Sequence, residues 1–326
     1  MRATRRGVLK YGSAALMAGA GAAGSRAAEW PSQPVRLVAP FSPGGAIDTM
    51  GRILSEHLRE RIGKPFLVEN VVGAGTMIAT EQVARAAPDG HAFLFASSAH
   101  NINPAVQKVR YDPIKDFTPV NMLVSPLHVL VVHKDLPVTS VQDLIALAGR
   151  KPGSLSYGSV GHGTSTHMEA ELFARMAGIE IVHVPYRGSA PALQDLVTGR
   201  IPMMFDALAS SRPQMEAGTI RALGVTSAQR SALLPDLPTI AESGLSGYEV
   251  VPWTALLGPA GVPKPIVDRL DAECRAILAQ EAVRKRFAEL GLEILSYPPE
   301  RLARFMAADL AKWKQVARDA NLEQTK

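Results

Sequence analysis

The sequence predicts an α/β protein of two β/α lobes joined by two crossover strands. Three observations lead there. From Val35 onward, short apolar runs alternate with amphipathic ones, the order that builds sheets faced with helices. A long apolar run, Leu127–His133, opens a second set of such units, and another, Trp253–Leu257, closes it. Glycine-rich turns follow several of the strands and run into helical patterns, which leaves backbone N–H groups at helix starts available to an anion. Periodicity by itself fits one continuous doubly wound domain as well as two lobes.

The elements follow in order. After the strand Val35–Ala39 and the turn Pro40-Phe41-Ser42-Pro43-Gly44-Gly45, residues Ile47, Met50, Leu54, Leu58 and Ile62 recur at steps of three and four, one helical face. Arg59 and Arg61 suit the last turn, and Gly63 with Pro65 ends it. A strand at Phe66–Val68 leads to Gly73-Ala74-Gly75 and a helix from about Met77 to Ala87, ended by Pro88-Asp89-Gly90, before a strand at His91–Ala96. Past Leu127–His133, Ser140 and Asp143 have capping-box spacing. Strands then fall at Leu155–Ser159, Ile181–Val184, Ile201–Phe205 and Ala222–Thr226. Helices fall at Thr164–Ala177, stopped by Gly178, and at Ala190–Thr198, stopped by Gly199. After Trp253–Leu257 come helices at Ile266–Leu278, Glu281–Leu290 and Glu300–Asp319. The second set of units inserts into the first, so residues 29–128 with 254–326 make the first lobe and 129–253 the second.

Residues 1–28 are of a different composition. A basic head with Arg5-Arg6, a small-residue apolar run from Tyr11 to Gly24, and Ser25-Arg26-Ala27-Ala28 form an export signal, cleaved near Ala27 or Ala28. The paired arginines resemble a twin-arginine address; a general secretory signal is the alternative. The apolar run is short and rich in Gly and Ala for a membrane span, so the exported product is expected to be periplasmic, with no direct membrane insertion.

The formal charge of +5 belongs to this leader. Five of the 35 Lys and Arg lie in it and none of the 30 Asp and Glu does, which leaves 30 of each sign. No basic field is left to hold nucleic acid. A single cysteine, Cys274, forbids an intramolecular disulfide and fits a buried small hydrophobe.

The turns carry the candidate chemistry. Pro43-Gly44-Gly45 lets a ligand oxygen approach main-chain N–H groups without interference from a Cβ. Asp48 suits a helix cap. Glu69 to Gly75 repeats the layout one unit later. Ser159-Val-Gly161-His-Gly163-Thr164-Ser165 is a third such turn, with hydroxyls that supplement the helix N–H groups. His167 and Glu171 share a helix face, yet no further His or Cys pattern completes a metal site. Tyr186 is suited to packing on a ligand, Arg187 to pairing a carboxylate, and Asp206 ends a strand at the edge where open α/β sheets bind ligands. There is no Gly-x-Gly-x-x-Gly, no phosphate-binding loop, no Gly-x-Ser-x-Gly elbow and no His-Glu-x-x-His. Neither a nucleotide cofactor nor an enzyme is indicated.

In order along the chain, these stretches resemble the periplasmic receptors of tripartite tricarboxylate transporters, the Bug or TctC family. The matching residues are Pro40 to Asp48 with Arg52, Val68-Glu69-Asn70 with Gly73-Ala74-Gly75, Tyr157 to Thr164 with His167, Val184 to Leu193, Met204-Phe205-Asp206, Leu237-Pro238-Thr239 and Gly258 to Pro263. The resemblance implies a type II periplasmic-binding-protein-like fold that holds a small organic carboxylate between its lobes without a cofactor. It implies first-lobe contacts from Phe41, Pro43, Gly44, Gly45 and Ala74, and second-lobe contacts from Ser159, Gly163, Thr164, Tyr186 and Asp206. It also implies a monomer that delivers the ligand to the membrane subunits of a tripartite tricarboxylate-type transporter. The family pattern has Pro before Gly-Ala-Gly and Gly after it. Val72 and Thr76 stand there instead, which puts the contact at Ala74 in question. Two rivals accompany this expectation. One is a carboxylate receptor that serves a sensory partner. The other is an exported hydrolase whose triad assembles across the fold, since triad order leaves no fixed trace in sequence.

Overall fold

The computed structural model describes residues 30–322. The export signal assigned to 1–28 lies outside them.

The first lobe is built on a six-stranded sheet. β1 (Val35–Ala39) buries Val35, Leu37 and Ala39 completely. α1 (Ala46–Ile62) turns Met50, Leu54 and Leu58 inward, with Ile47 and Ile62 at the margins of the same core. Gly63, at φ 76°, ends the helix by donating its N–H to Arg59 O at 2.9 Å. β2 (Phe66–Asn70), α2 (Met77–Ala84) and β3 (Ala92–Ser97) complete a parallel trio with β1 in the middle. α2 stops three residues before the expected Ala87.

Two elements follow that the sequence pattern hides. α3 (Ala99–Val106) carries Pro104 inside it, and β4 (Phe117–Pro126) contains Pro119. Proline ordinarily argues against both assignments. In β4 it is tolerated because Pro119 sits at a register shift, paired with Leu257 beside an irregularity in the ladder.

The chain then crosses to a second, five-stranded sheet. It consists of β5 (His128–His133), β6 (Leu155–Ser159), β7 (Ile181–Pro185), β8 (Met203–Ala207) and β9 (Ile220–Val225), with α4 (Val141–Arg150), α5 (Ser165–Ala177), α6 (Ser189–Val197) and α7 (Leu208–Glu216) as connections. Its strand order is β7-β6-β8-β5-β9. The capping box at Ser140 and Asp143 is formed in both directions. α7 had no periodic signal because Pro213 and a run of small polar residues interrupt it.

β10 (Thr254–Pro259) brings the chain back to the first sheet. α8 (Lys264–Leu278), α9 (Glu281–Glu289), β11 (Leu292–Tyr297) and α10 (Pro299–Asp319) complete it, in the strand order β11-β4-β10-β3-β1-β2. β5 and β10 each run antiparallel to a neighbour from the parallel set, β8 and β3 respectively. The two apolar runs singled out in the sequence are therefore the strands by which the chain enters one sheet and re-enters the other. Cys274 is fully buried in the core under α8. α10 begins against the first lobe, while Trp313, Val316 and Ala317 near its end pack into the core of the second. Among the described residues, no helix is long and apolar enough to cross a membrane.

Candidate ligand-binding cleft

Between the sheets lies a cavity of about 360 Å³, lined mainly by apolar atoms. Its wall is made at the ends of strands, where helices begin. Gly45, Ala46 and Ile47 come from the start of α1, and Thr76 from the start of α2. Ser98 and Ala99 open α3, Thr164 and Ser165 open α5, and Ala207 and Ala209 open α7. Five helix N-termini thus face one space. Each presents N–H groups without acceptors inside its own helix, and their dipoles add with the same sign. The positive potential needs no basic side chain, which is why the wall stays apolar and still suits an anion.

The turn before α1 is set by a polar cluster beneath it. Asp48 is buried and accepts from Gly44 N at 2.9 Å, from Asn70 Nδ2 at 2.8 Å and from both Arg52 Nε and Nη2. Burial opposes its ionisation, but the bonds from Arg52, Asn70 and Gly44 outweigh it and hold the pKa at about 2. Asn70 also donates to Phe41 O at 3.0 Å. The cluster therefore fixes both ends of the turn.

The turn before α5 is held by hydroxyls and imidazoles. Thr164 Oγ1 donates to Gly161 O at 2.6 Å, and Gly163 N donates to His167 Nδ1 at 3.2 Å. His167 stacks on His183 with ring centroids 4.0 Å apart, and His162 lies 4.8 Å from His167. Burial first, then the neighbouring imidazoles, push His167 down to about 3. The same causes push His183 down to about 4, so both rings are neutral. Glu171 sits 3.7 Å from His167 and accepts from the Tyr157 hydroxyl at 2.5 Å. Among the described residues, no group of three or more His, Cys, Asp or Glu is arranged to hold a metal ion.

Of the ten residues expected at the site, the cavity is lined by Phe41, Gly45, Gly163 and Thr164. The other six stand behind it or beside it. Gly44 has its N–H taken by Asp48, and Pro43 is exposed at the outside of the turn. Ala74 faces outward, and Gly75 and Thr76 line the cavity in its place. Ser159 is fully buried, 2.6 Å from His183 Nε2, and shapes the turn. The Tyr186 hydroxyl donates to Asp195 at 2.9 Å. Asp206 is buried and accepts from the hydroxyls of Ser189, Ser210 and Ser211, so its carboxylate is satisfied within the protein. Sequence reasoning missed Ser98, Asn103 and His128, all of which line the cavity. Their elements carried no turn motif to draw attention to them.

The fold has counterparts among known proteins. The model of the tripartite tricarboxylate transporter family receptor matches residues 50–322. The chain belongs to that family. It is 40% identical over 289 residues to the UPF0065 protein in the tcbD-tcbE intergenic region of Pseudomonas sp. strain P51, covering 88% of this chain and 86% of that one. Among solved structures it is similar to R. palustris Rpa4515 with adipate, at 39% identity and a TM-score of 0.80, over 90% of this chain and 99% of that one. It is also similar to MatC (Rpa3494) from Rhodopseudomonas palustris with bound malate, at 32% identity and a TM-score of 0.77, over 88% of this chain and 99% of that one. The family receptor thus has the two-sheet α/β fold of the periplasmic binding proteins, and its neighbours at this level of identity are solute-binding proteins.

Proposed function

We propose that this protein captures a small organic carboxylate in its cleft and presents it to the membrane subunits of a tripartite tricarboxylate-type transporter. The observation that carries the reading is the convergence of five helix N-termini on one cavity of about 360 Å³. Such a site stabilises negative charge with main-chain dipoles and leaves the ligand's carbon skeleton to an apolar wall. The adipate and malate held by two similar proteins are ligands of this chemical kind.

In this reading Phe41, Gly45, Gly163 and Thr164 touch the ligand. Pro43, Gly44, Ala74, Ser159, Tyr186 and Asp206 hold the turns that do so. Residues 29–128 with 254–326 form one body and 129–253 the other, with α10 reaching from the first into the core of the second, and the ligand closes them by binding the closed form more tightly. The receptor works as a monomer in the periplasm once its leader is removed near Ala27 or Ala28. Ser159 and His183 are close enough to suggest a nucleophile and base, but a fully buried hydroxyl behind the cavity wall offers a substrate no access.

The test is thermal denaturation of ligand-free mature protein against mono-, di- and tricarboxylates, aromatic acids and amino acids. At least one acid is expected to raise the melting temperature, by several degrees at a hundredfold excess over its Kd. If no member of that panel shifts it, the reading fails.

A further inference from the structure

One wall of the cleft holds a buried acid–base pair that none of the helix starts accounts for. His128 opens β5, just where the chain has crossed between the sheets, and its ring lines the cavity although the residue is only 6% exposed. Its Nδ1 lies 2.7 Å from Oε1 of Glu169 on α5. Glu169 is 0% exposed, and among the described residues its Oε2 is buried without a partner.

A carboxylate so placed is strongly disfavoured as a net buried charge beside a neutral ring. One proton shared by the pair removes that charge. Whether the proton rests on Nδ1 or on Oε1, the far nitrogen Nε2 then carries a hydrogen and acts as a donor. Only a pair stripped of the proton would leave Nε2 an acceptor. Burial pulls the imidazolium down, yet Glu169 outweighs it by charge and hydrogen bond, and Asp206 on β8 adds to it, so His128 titrates above its ordinary value. Among the described residues, Lys312 on α10 also feels Glu169, along with Asp309 and Glu249, and donates to Glu249 O.

We propose that His128 is a specificity-determining residue of the cleft, its Nε2–H donating to a second acceptor group of the bound acid, distinct from the carboxylate that the helix starts hold. The inference rests on the receptor reading of the same cavity. It narrows the ligand class to acids with two anionic or acceptor ends, because a carboxylate makes the stronger, charge-assisted bond to this donor. Glu169 is the positioning residue: it fixes the ring and keeps the proton on the pair.

The experiment titrates ligand-free mature protein with two matched pairs, adipate against hexanoate and malate against 2-hydroxybutyrate. In at least one pair the diacid is expected to bind about tenfold tighter or more at pH 6. That advantage shrinks as pH rises through the titration of His128. His128→Gln is expected to weaken the diacid by about 10- to 100-fold and the monoacid by less than threefold. Should that variant fail to fold, imidazole-labelled wild-type protein gives the same answer by NMR. The Nε2 signal of His128 shifts on adding the diacid and stays in place with the monoacid. Equal losses for both members of a pair in folded His128→Gln, or an Nε2 signal that ignores the diacid, would overturn the inference and leave the receptor reading standing. Binding of neither pair overturns this inference alone, since the receptor reading is tested on the wider panel.

Discussion

Adjacent glycines in the first turn do different work. Gly44 has φ 87°, a conformation that L side chains rarely adopt, and its N–H is committed to Asp48. Gly45 caps α1 with φ −73°, and an added Cβ would meet only Ser42 O at 3.8 Å. The sequence motif suggested one shared role, backbone approach to a ligand, for both. The two positions separate once φ and the hydrogen bonds are known. Gly45→Val is therefore expected to keep stability within about 1 kcal/mol and to weaken binding of the acid found by the thermal screen about tenfold or more. Gly44→Val is expected to cost about 1–2 kcal/mol of stability from left-handed strain. Denaturation and calorimetric titration of the two variants check this; full affinity in Gly45→Val would count against its place in the site.

At the scale of elements, the second turn carries a strain that the sequence hinted at. Thr76, standing where the family pattern has Gly, takes φ 82° at the start of α2, and Ala74 takes φ 46°. A β-branched residue in the left-handed region is a true outlier. It is held there because Thr76 N donates to Gly73 O at 3.0 Å and its carbonyl accepts from Thr80 Oγ1 at 3.0 Å. Thr76→Gly is expected to stabilise the protein by about 1 kcal/mol, as the relief of steric strain exceeds the entropy added to the unfolded chain. A urea midpoint that falls in this variant would contradict it. Sequence reading passed over four elements, and β11, which has no proline, stands outside the cause that the other three share. α3, α7 and β4 each contain proline, and local propensity loses there to tertiary packing.

For the whole molecule, acid is the informative perturbation. His167 and His183 titrate at about 3 and about 4 when folded, against about 6.5 when unfolded. The unfolded chain thus binds more protons in that interval, and stability falls as pH drops below 6.5. Asp48 has the same sense at lower pH, since its stabilising contribution is present above about 3.8 and is lost as pH falls through about 2. His128 has the opposite sense: its contribution is complete below its unfolded value and fades as pH rises through its raised folded one. The melting temperature is expected to fall by roughly 5 °C or more between pH 7 and pH 5. His183→Gln is expected to flatten that dependence. A wild-type profile without slope in that range would show that these rings are not buried neutral.

The alternation of strands and helices outside α3, β4, α7 and β11, the helix stops at Gly63 and Gly178, the cap at Ser140 and the glycine turns were readable, because each is written in residues close together in sequence. Only the tertiary structure decided which turns face the same space. Asp206, read as a ligand contact, proved to be satisfied by three serines, and Ser159 lies behind the wall it was expected to line. His128 and Glu169, 41 positions apart, meet as a buried pair that no periodicity announces. Local sequence fixes backbone preference through sterics and short hydrogen bonds. The use made of a polar side chain depends on which distant group removes it from water.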